Sequence, residues 1–282
     1  MLMPIEIAKM EEARQARAMA EIAPVHEHIM GGVMTYMEPG SWSNYACNLG
    51  MEGPVTDEEL DRLVRFFVER GVEPEVELAA FADKTLIKGL AERGFELREF
   101  EAVLSKPIIA AEDLQSLIAG SWPKDDNGQE LVVERVEPDD EAMVQESCRV
   151  GMSGFVPADH KITDGELEMH RKIVGHPHGE YIVAKFGDTV IGAGGAEYPR
   201  CEVMPVGVLF GVTVLEPWRR RGVQQALIVH RLERARVKGA KIAVIHGEPG
   251  ASTDRNAMRM GFAPAYMKAT MAMRGEGLVA SR

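Results

Sequence analysis

The 282-residue sequence predicts a mixed α/β protein of two lobes, the second a mixed sheet with helices on both faces. Three observations predict it. The length has room for about two domains of roughly 150 residues each; a helix, strand, helix, strand order occurs twice; and the turn-rich, charged stretch Gly120 to Gln129 stands between the two occurrences. Apolar residues make up 45% and charged residues 27%, a globular balance that argues against a disordered or fibrous chain.

In the first occurrence Thr56 and Glu59 have the spacing of a capping box, and Leu60, Leu63, Val64, Phe67 and Val68 follow at helical period. Gly71 ends that helix, Val72 to Ala80 alternates as a strand, and Asp83 caps a helix with Leu86, Ile87 and Leu90 inward. Gly94-Phe95 closes it, and Phe100 to Leu104 is the last strand. The second occurrence runs as helix Gly222 to Val237, Gly239, strand Lys241 to His246, helix from about Ser252, Gly261-Phe262 and strand Tyr266 to Met273. The Gly to Gly-Phe separations, 23 and 22 residues, match in length as well as pattern, which marks an internal duplication.

The linker puts the boundary near residue 125, giving lobes 1–125 and 126–282. After it, Leu131 to Val136 is an expected strand, Asp139 opens a helix, and Thr163 with Glu166 caps another. Strands Tyr181 to Phe186 and Thr189 to Ala193 join across Gly187-Asp188 as a hairpin, and Gly207 to Val214 is an apolar strand.

Lys and Arg number 32 against 44 Asp and Glu, a net charge of -12, so general nucleic-acid binding is disfavoured and cationic substrates suit the field better. Cys47, Cys148 and Cys201 lie far apart with no C-x-x-C spacing, which indicates neither a zinc cage nor a disulfide framework and points to a reducing compartment. No apolar run suits a signal peptide or a membrane span, so a cytoplasmic location is expected.

Chemistry concentrates in Val212 to Leu227, VTVLEPWRRRGVQQAL, where an apolar strand is broken by Pro217 and three arginines and a glycine open a helix. Backbone N–H groups of Arg221, Gly222, Val223 and Gln224 are unpaired in a first turn, the helix dipole adds positive charge, and Gly222 admits a ligand to the backbone, a design for a pyrophosphate. The competing reading of Arg219 to Arg221 is a solvated charge run; their place at a strand-to-helix switch favours the ligand.

This element resembles the signature of the GNAT superfamily of acyl-CoA-dependent N-acetyltransferases, Q/R-x-x-G-x-G/A. Here it reads Arg219-x-x-Gly222-x-Gln224 after Val214 and Pro217, and a helix ending in Gly261-Phe262 adds a second family element. Gln224 departs from the small residue of the pattern. The resemblance covers about residues 131 to 274 well and implies two tandem lobes of that fold, with acetyl-CoA as cosubstrate, no metal, and a small primary amine as acceptor. It implies that Arg219, Arg220, Arg221, Gly222, Val223 and Gln224 hold the pyrophosphate, and that main-chain groups of Val212, Thr213 and Val214 hold the pantetheine arm. An N–H of Val212 or Val214 would face the thioester carbonyl.

Many family members carry a tyrosine acid four residues before the Gly-Phe; here the position is Ala257. For the base, Glu248 after the Lys241 to His246 strand and Glu197 after the Thr189 to Ala193 strand are candidates, each with an alternative as a solvated loop carboxylate. Asn256 either hydrogen-bonds the cofactor or caps its own helix turn. The missing tyrosine keeps a rival reading in view, a non-catalytic acyl-CoA sensor.

Three further signals have plainer readings. Val190-Ile-Gly-Ala-Gly-Gly-Ala196 lacks the third glycine and the following helix of a dinucleotide fingerprint, so its glycines are read as a strand bend or close packing beside the cofactor arm. His26 and His28, and His176 and His178, have i, i+2 spacing but no accompanying ligand framework, so no metal is expected. The first lobe offers Gly50 to Asp57, acidic at its helix start, where the second has its arginines; it is expected to be a degenerate lobe that shapes the acceptor site, with Gly31, Gly32, Trp42 and Asn44 as lining or packing residues. A homodimer is compatible with the sequence.

Overall fold

The computed structural model describes residues 2–200 and 205–281, so Cys201 lies outside the described residues. The chain forms two compact units. The first comprises residues 1–103, 247–249 and 264–282, and the second residues 104–246 and 250–263.

The first unit holds helix α1 (Pro4–Ile22), strands β1 (Val25–Ile29), β2 (Gly32–Tyr36) and β3 (Ala46–Cys47), helix α2 (Asp57–Val68), β4 (Glu75–Ala79), α3 (Lys84–Glu92) and the first part of β5 (Glu96–Pro107). Capping explains its helices. Thr56 Oγ1 accepts from the Glu59 N–H while Glu59 reaches back to the Thr56 N–H, and Asp83 accepts from the Thr85 N–H. Leu60, Leu63, Phe67, Leu86 and Leu90 then bury against Val76 and Phe95 in one core. Met30 and Gly31, both at positive φ, make the β1–β2 turn, and buried Asn44 pins the next loop by accepting from the Met37 N–H and donating to the Glu38 carbonyl.

Helix α1 has no counterpart in the apolar pattern, because its inward face carries Glu11, Glu12 and Gln15 beside Ile7, Ala8, Ala16 and Met19. Glu11 pairs with Arg14 of the same helix, and Glu12 and Gln15 are matched by the last strand of the chain, which sequence order had assigned to the second lobe. β6 to β10 lie in the intervening chain; β11 (Ala263–Ala272) pairs antiparallel with β4, Lys268 opposite Ala79 and Ala272 opposite Glu75. Lys268 Nζ lies 3.0 Å from Glu12 Oε1 and 3.3 Å from Glu77 Oε2, and Tyr266 donates to Glu12 at 2.6 Å. Residues 264–282 therefore belong to the first unit, whose strand order is β1-β2-β3-β4-β11-β5.

The second unit begins at Leu104, inside β5, rather than near residue 125. It contains β6 (Val132–Arg135), α4 (Glu141–Met152), α5 (Asp164–Val174), β7 (Gly179–Phe186), β8 (Thr189–Glu197), β9 (Val206–Val214), α6 (Val223–Val237), β10 (Ile242–Gly247) up to His246, and α7 (Ser252–Arg259). The order is β5-β10-β9-β8-β7-β6, antiparallel from β6 to β9 and parallel between β9 and β10, a mixed sheet. Asp140 caps α4 and the Thr163–Glu166 box caps α5. The expected linker is folded against this unit: Asp125 accepts from the Asn127 and Gln129 N–H groups, and Trp122 Nε1 donates to the Leu131 carbonyl at 2.8 Å. Turn formers thus make a built loop here. Among the described residues, no helix is long and apolar enough to cross a membrane.

Candidate functional site

Strand β9 leaves its neighbour halfway along. Its parallel ladder with β10 runs only from Val206–Ile242 to Leu209–Ile245, whereas β9 continues to Val214. Burial changes at the same point: Val206 to Leu209 are buried, Phe210 and Val212 are half-buried and Gly211 is exposed. The β8–β9 register also slips there, from Gly195–Phe210 to Ala193–Thr213, with Gly211 at φ 57° as the extra residue of a bulge. Glycine suits that left-handed conformation because it carries no Cβ.

Beyond Val214 the chain makes a tight turn over Glu216–Trp218 with Pro217 in its first positions, and Arg219 Nε donates back to the Val214 carbonyl at 3.0 Å. Arg220 and Gly222 both have positive φ, 62° and 81°, and Gly222 is the N-cap of α6. It offers no side-chain cap. The first bond into the helix is Ala226 N–H to Gly222 C=O at 3.0 Å, so the amides of Val223, Gln224 and Gln225 have no acceptor within α6. The contrast with α2 is chemical: Thr56 and Glu59 cap the first turn of that helix with side chains, whereas the start of α6 has no side-chain cap and follows three arginines.

Arg221 forms a 2.7 Å ion pair with Asp126 of the loop and sits 5.2 Å over the Trp218 ring, which in turn packs 4.9 Å from Phe186. The loop touches the helix start twice more. The Ala119 N–H donates to Gln225 Oε1 at 3.2 Å, and a Cβ built on Gly222 would stand 3.4 Å from Pro123 Cγ.

Gln224 turns its side chain sideways. Its Nε2 donates to Thr253 Oγ1 at 3.2 Å and its Oε1 accepts from Asn256 Nδ2 at 2.5 Å, so the residue that departs from the small-residue pattern ties α6 to α7. Asn256 is thereby engaged with Gln224. Thr213 is buried and donates Oγ1 to the Gly151 carbonyl at 2.7 Å, which leaves main-chain groups as what Val212, Thr213 and Val214 offer a ligand in common. Ala257 is fully buried and offers no hydroxyl.

The two candidate bases fall in different units. Glu197 ends β8, is 4% exposed and pairs with Arg200 at 3.1 Å, which also contacts His176 Nε2 at 3.1 Å. Glu248 is exposed on the turn after β10 and groups with the first unit. The glycines of β8 have a steric purpose other than the cofactor arm: a Cβ at Gly194 would stand 3.1 Å from Arg231 Nη1, and one at Gly195 would collide with the Phe210 ring at 2.3 Å. Among the described residues, no group of three or more His, Cys, Asp or Glu side chains is placed to hold a metal.

One buried charge beside the β9 bulge has no forerunner in the sequence analysis. Arg231 is buried on α6, one turn beyond Leu227, and donates Nη1 to the carbonyls of Gly195 at 3.0 Å and Phe210 at 3.3 Å, the last pair before the β8–β9 register slips. The available signal was a charged residue on the same helix face as Leu227.

Residues 146–262 match the model of the acetyltransferase (GNAT) family. The fold is similar to that of a GCN5-related N-acetyltransferase from Kribbella flavida, at 17% identity over 94% of this chain and 96% of that one with a TM-score of 0.62. It is also similar to a conserved protein of unknown function from Staphylococcus epidermidis, at 12% identity over 86% and 90% with a TM-score of 0.55. A tandem GNAT protein from the clavulanic acid biosynthesis pathway aligns at 12% identity over 77% and 67% with a TM-score of 0.54. No curated protein sequence matches the chain. At these identities the likeness shows the fold, mixed α/β on a mixed sheet.

Proposed function

We propose that this chain, whose residues 146–262 carry a domain of the acetyltransferase (GNAT) family, transfers the acetyl group of acetyl-CoA to a primary amine of a small acceptor. The observation that carries the reading is a coincidence in one unit: β9 parts from β10 after Leu209, and the chain then runs directly into the uncapped, glycine-started N-terminus of α6. A slot for an extended arm and a cradle for its pyrophosphate follow one another along the sequence.

In this reading the N–H groups of Val223 and Gln224, with Arg219, Arg220 and Arg221, hold the pyrophosphate, and Gly222 keeps the approach to the backbone clear. Main-chain groups of Val212, Thr213 and Val214 align the pantetheine arm. Acetyl-CoA supplies an activated thioester, so the acceptor nitrogen forms its bond to the acetyl carbon as the carbon–sulfur bond breaks and the sulfur departs as thiolate. Strand β9 stabilises the charge on the carbonyl oxygen through an N–H, the carboxylate of Glu197 takes the ammonium proton before attack, and the proton that the new amide nitrogen sheds goes to the departing thiolate. Asn256 serves indirectly, by fixing Gln224 beside the cradle. The net charge of -12 favours a cationic acceptor. The first lobe is read as one of the same ancestry without a cradle of its own, since Thr56 and Glu59 cap the matching helix start.

The rival, an acyl-CoA sensor without turnover, has one observation in its favour, the buried alanine at 257 in place of a hydroxyl. Calorimetric titration with acetyl-CoA tests the shared premise. One site per chain, weakened at least tenfold (about 1.4 kcal/mol) by the double variant R219A/R221A, is expected; unchanged affinity would remove the loop from the site. Release of free CoA that depends on an added amine then separates enzyme from sensor.

A further inference from the structure

Arg231 is 1% exposed and heads the fully buried side chains by volume, yet among the described residues it has no ion-pair partner. Desolvation pulls its pKa down to about 10, and the groups that lean the other way are the phenols of Tyr198 and Tyr181 rather than carboxylates. Burying a guanidinium in this manner is costly, and an apolar side chain of similar volume would pack the same space more cheaply. The chain gives up a second position for it as well: Gly194 is not at positive φ, and a methyl there would stand 3.1 Å from Nη1.

Its hydrogen bonds show where that expense goes. Nε donates to the Leu227 carbonyl of its own helix at 3.0 Å, which fixes the side chain, and Nη1 spans the carbonyls of Gly195 and Phe210 across the two strands. The Phe210 carbonyl belongs to the same peptide group as the Gly211 N–H. No peptide among the described residues is cis, so that N–H points away from the carbonyl that Arg231 holds. Gly211 lies beyond Leu209, the last β9 residue in the ladder with β10. A cation bound at the oxygen of a peptide draws electron density toward it and makes the N–H at the far end a stronger donor.

We propose that Arg231 is a positioning residue that fixes the β9 bulge and, through the Phe210–Gly211 peptide, makes the Gly211 N–H the donor to the thioester carbonyl. This deepens the acetyl-transfer reading and rests on it. It also moves the donor by one residue from the Val212 or Val214 amide to which the family resemblance pointed. Arg231 itself touches neither substrate. The buried charge stands behind the main chain, where it needs no reorganisation as charge develops on the carbonyl oxygen.

The test is the infrared carbonyl band of acetyl-CoA labelled with carbon-13 at its carbonyl, recorded free and bound to the full chain, with calorimetric affinity and circular dichroism measured in parallel. The wild-type chain is expected to shift the band to lower wavenumber. R231M should lose most of that shift, R231K should retain most of it by keeping charge and donors, and affinity should change little because the pyrophosphate cradle is intact. G194A keeps the arginine and crowds it, so a partial loss is expected there, and this milder variant carries the test if R231M fails to fold. An unshifted band in the wild-type complex, or an equal shift in wild type, R231M and G194A, would overturn the proposal while leaving cofactor binding intact. Absence of acetyl-CoA binding to the wild-type chain would instead overturn the acetyl-transfer reading, and this proposal with it.

Discussion

Asp126 holds Arg221 at 2.7 Å, so an acidic side chain of the loop between β5 and β6 occupies a cation at the start of α6. The two side chains are 83% and 38% exposed, a pair worth no more than about 1 kcal/mol. Asp126→Asn should therefore raise the affinity for acetyl-CoA by about two- to fivefold. Titrations at low and at 0.5 M salt check this, because the gain should shrink as exposed charges are screened.

Gln224 and Asn256 make the second prediction. The Gln224 side chain bonds α7 rather than reaching over the helix start, so Gln224→Ala should leave acetyl-CoA affinity within about threefold. It should lower stability by about 1 kcal/mol, since two half-buried hydrogen bonds disappear. A tenfold loss of affinity with unchanged denaturation would mean that the amide faces the ligand.

His170 gives a pH dependence. Its ring is 7% exposed, its Nε2 lies 2.8 Å from Ser147 Oγ, and burial lowers its pKa from 6.5 to about 4. The unfolded chain binds the proton more readily, so this contribution to stability is complete above pH 6.5 and is lost as pH falls toward 4, by about 3 kcal/mol at most. Urea denaturation at pH 7, 5.5 and 4.5 should show the midpoint falling, and His170→Gln should flatten the part of the slope that this group causes.

Lys268 is 1% exposed between Glu12 and Glu77, and the fully buried Glu12 also accepts from Tyr266. Lys268→Met should destabilise the chain by about 3 to 5 kcal/mol, because removing one partner leaves buried carboxylate uncompensated. The double variant K268M/E12Q should recover part of the loss; full additivity of the two changes in chemical denaturation would show that the pair is not coupled.

These sites differ in how far the sequence disclosed them. Thr56, Asp83 and Thr163 announced their helices because a cap is a local bargain between a side chain and the next three amides, and Asp139 stood one residue from the cap of α4, Asp140. The helix start at Gly222 was legible for a different local reason, a glycine placed directly after an apolar strand broken by Pro217. Helix α1 was not, because Glu12 and Gln15 turn inward to meet Lys268 and Tyr45, partners distant in sequence. Nor was the placement of β11: its apolar and polar residues alternate as an ordinary strand's do, and nothing local says which neighbour it joins. Arg231 stayed hidden because a charged residue on a helix face reads as solvated until the carbonyls of Gly195 and Phe210 are seen beneath it.

The pairing of β11 with β4 also sets a timetable. Lys268 and Glu77 stand 191 residues apart in sequence, and a ribosome adding about 5–20 residues per second needs on the order of 10 to 40 seconds to bring the second after the first. Through that interval β4 waits with one edge unsatisfied, and the carboxylates of Glu12 and Glu77 wait for their cation. The half of the protein made first is thus completed last, so nascent chains stalled before Tyr266 should expose a sticky, chaperone-binding first unit while the unit made after it is already able to close.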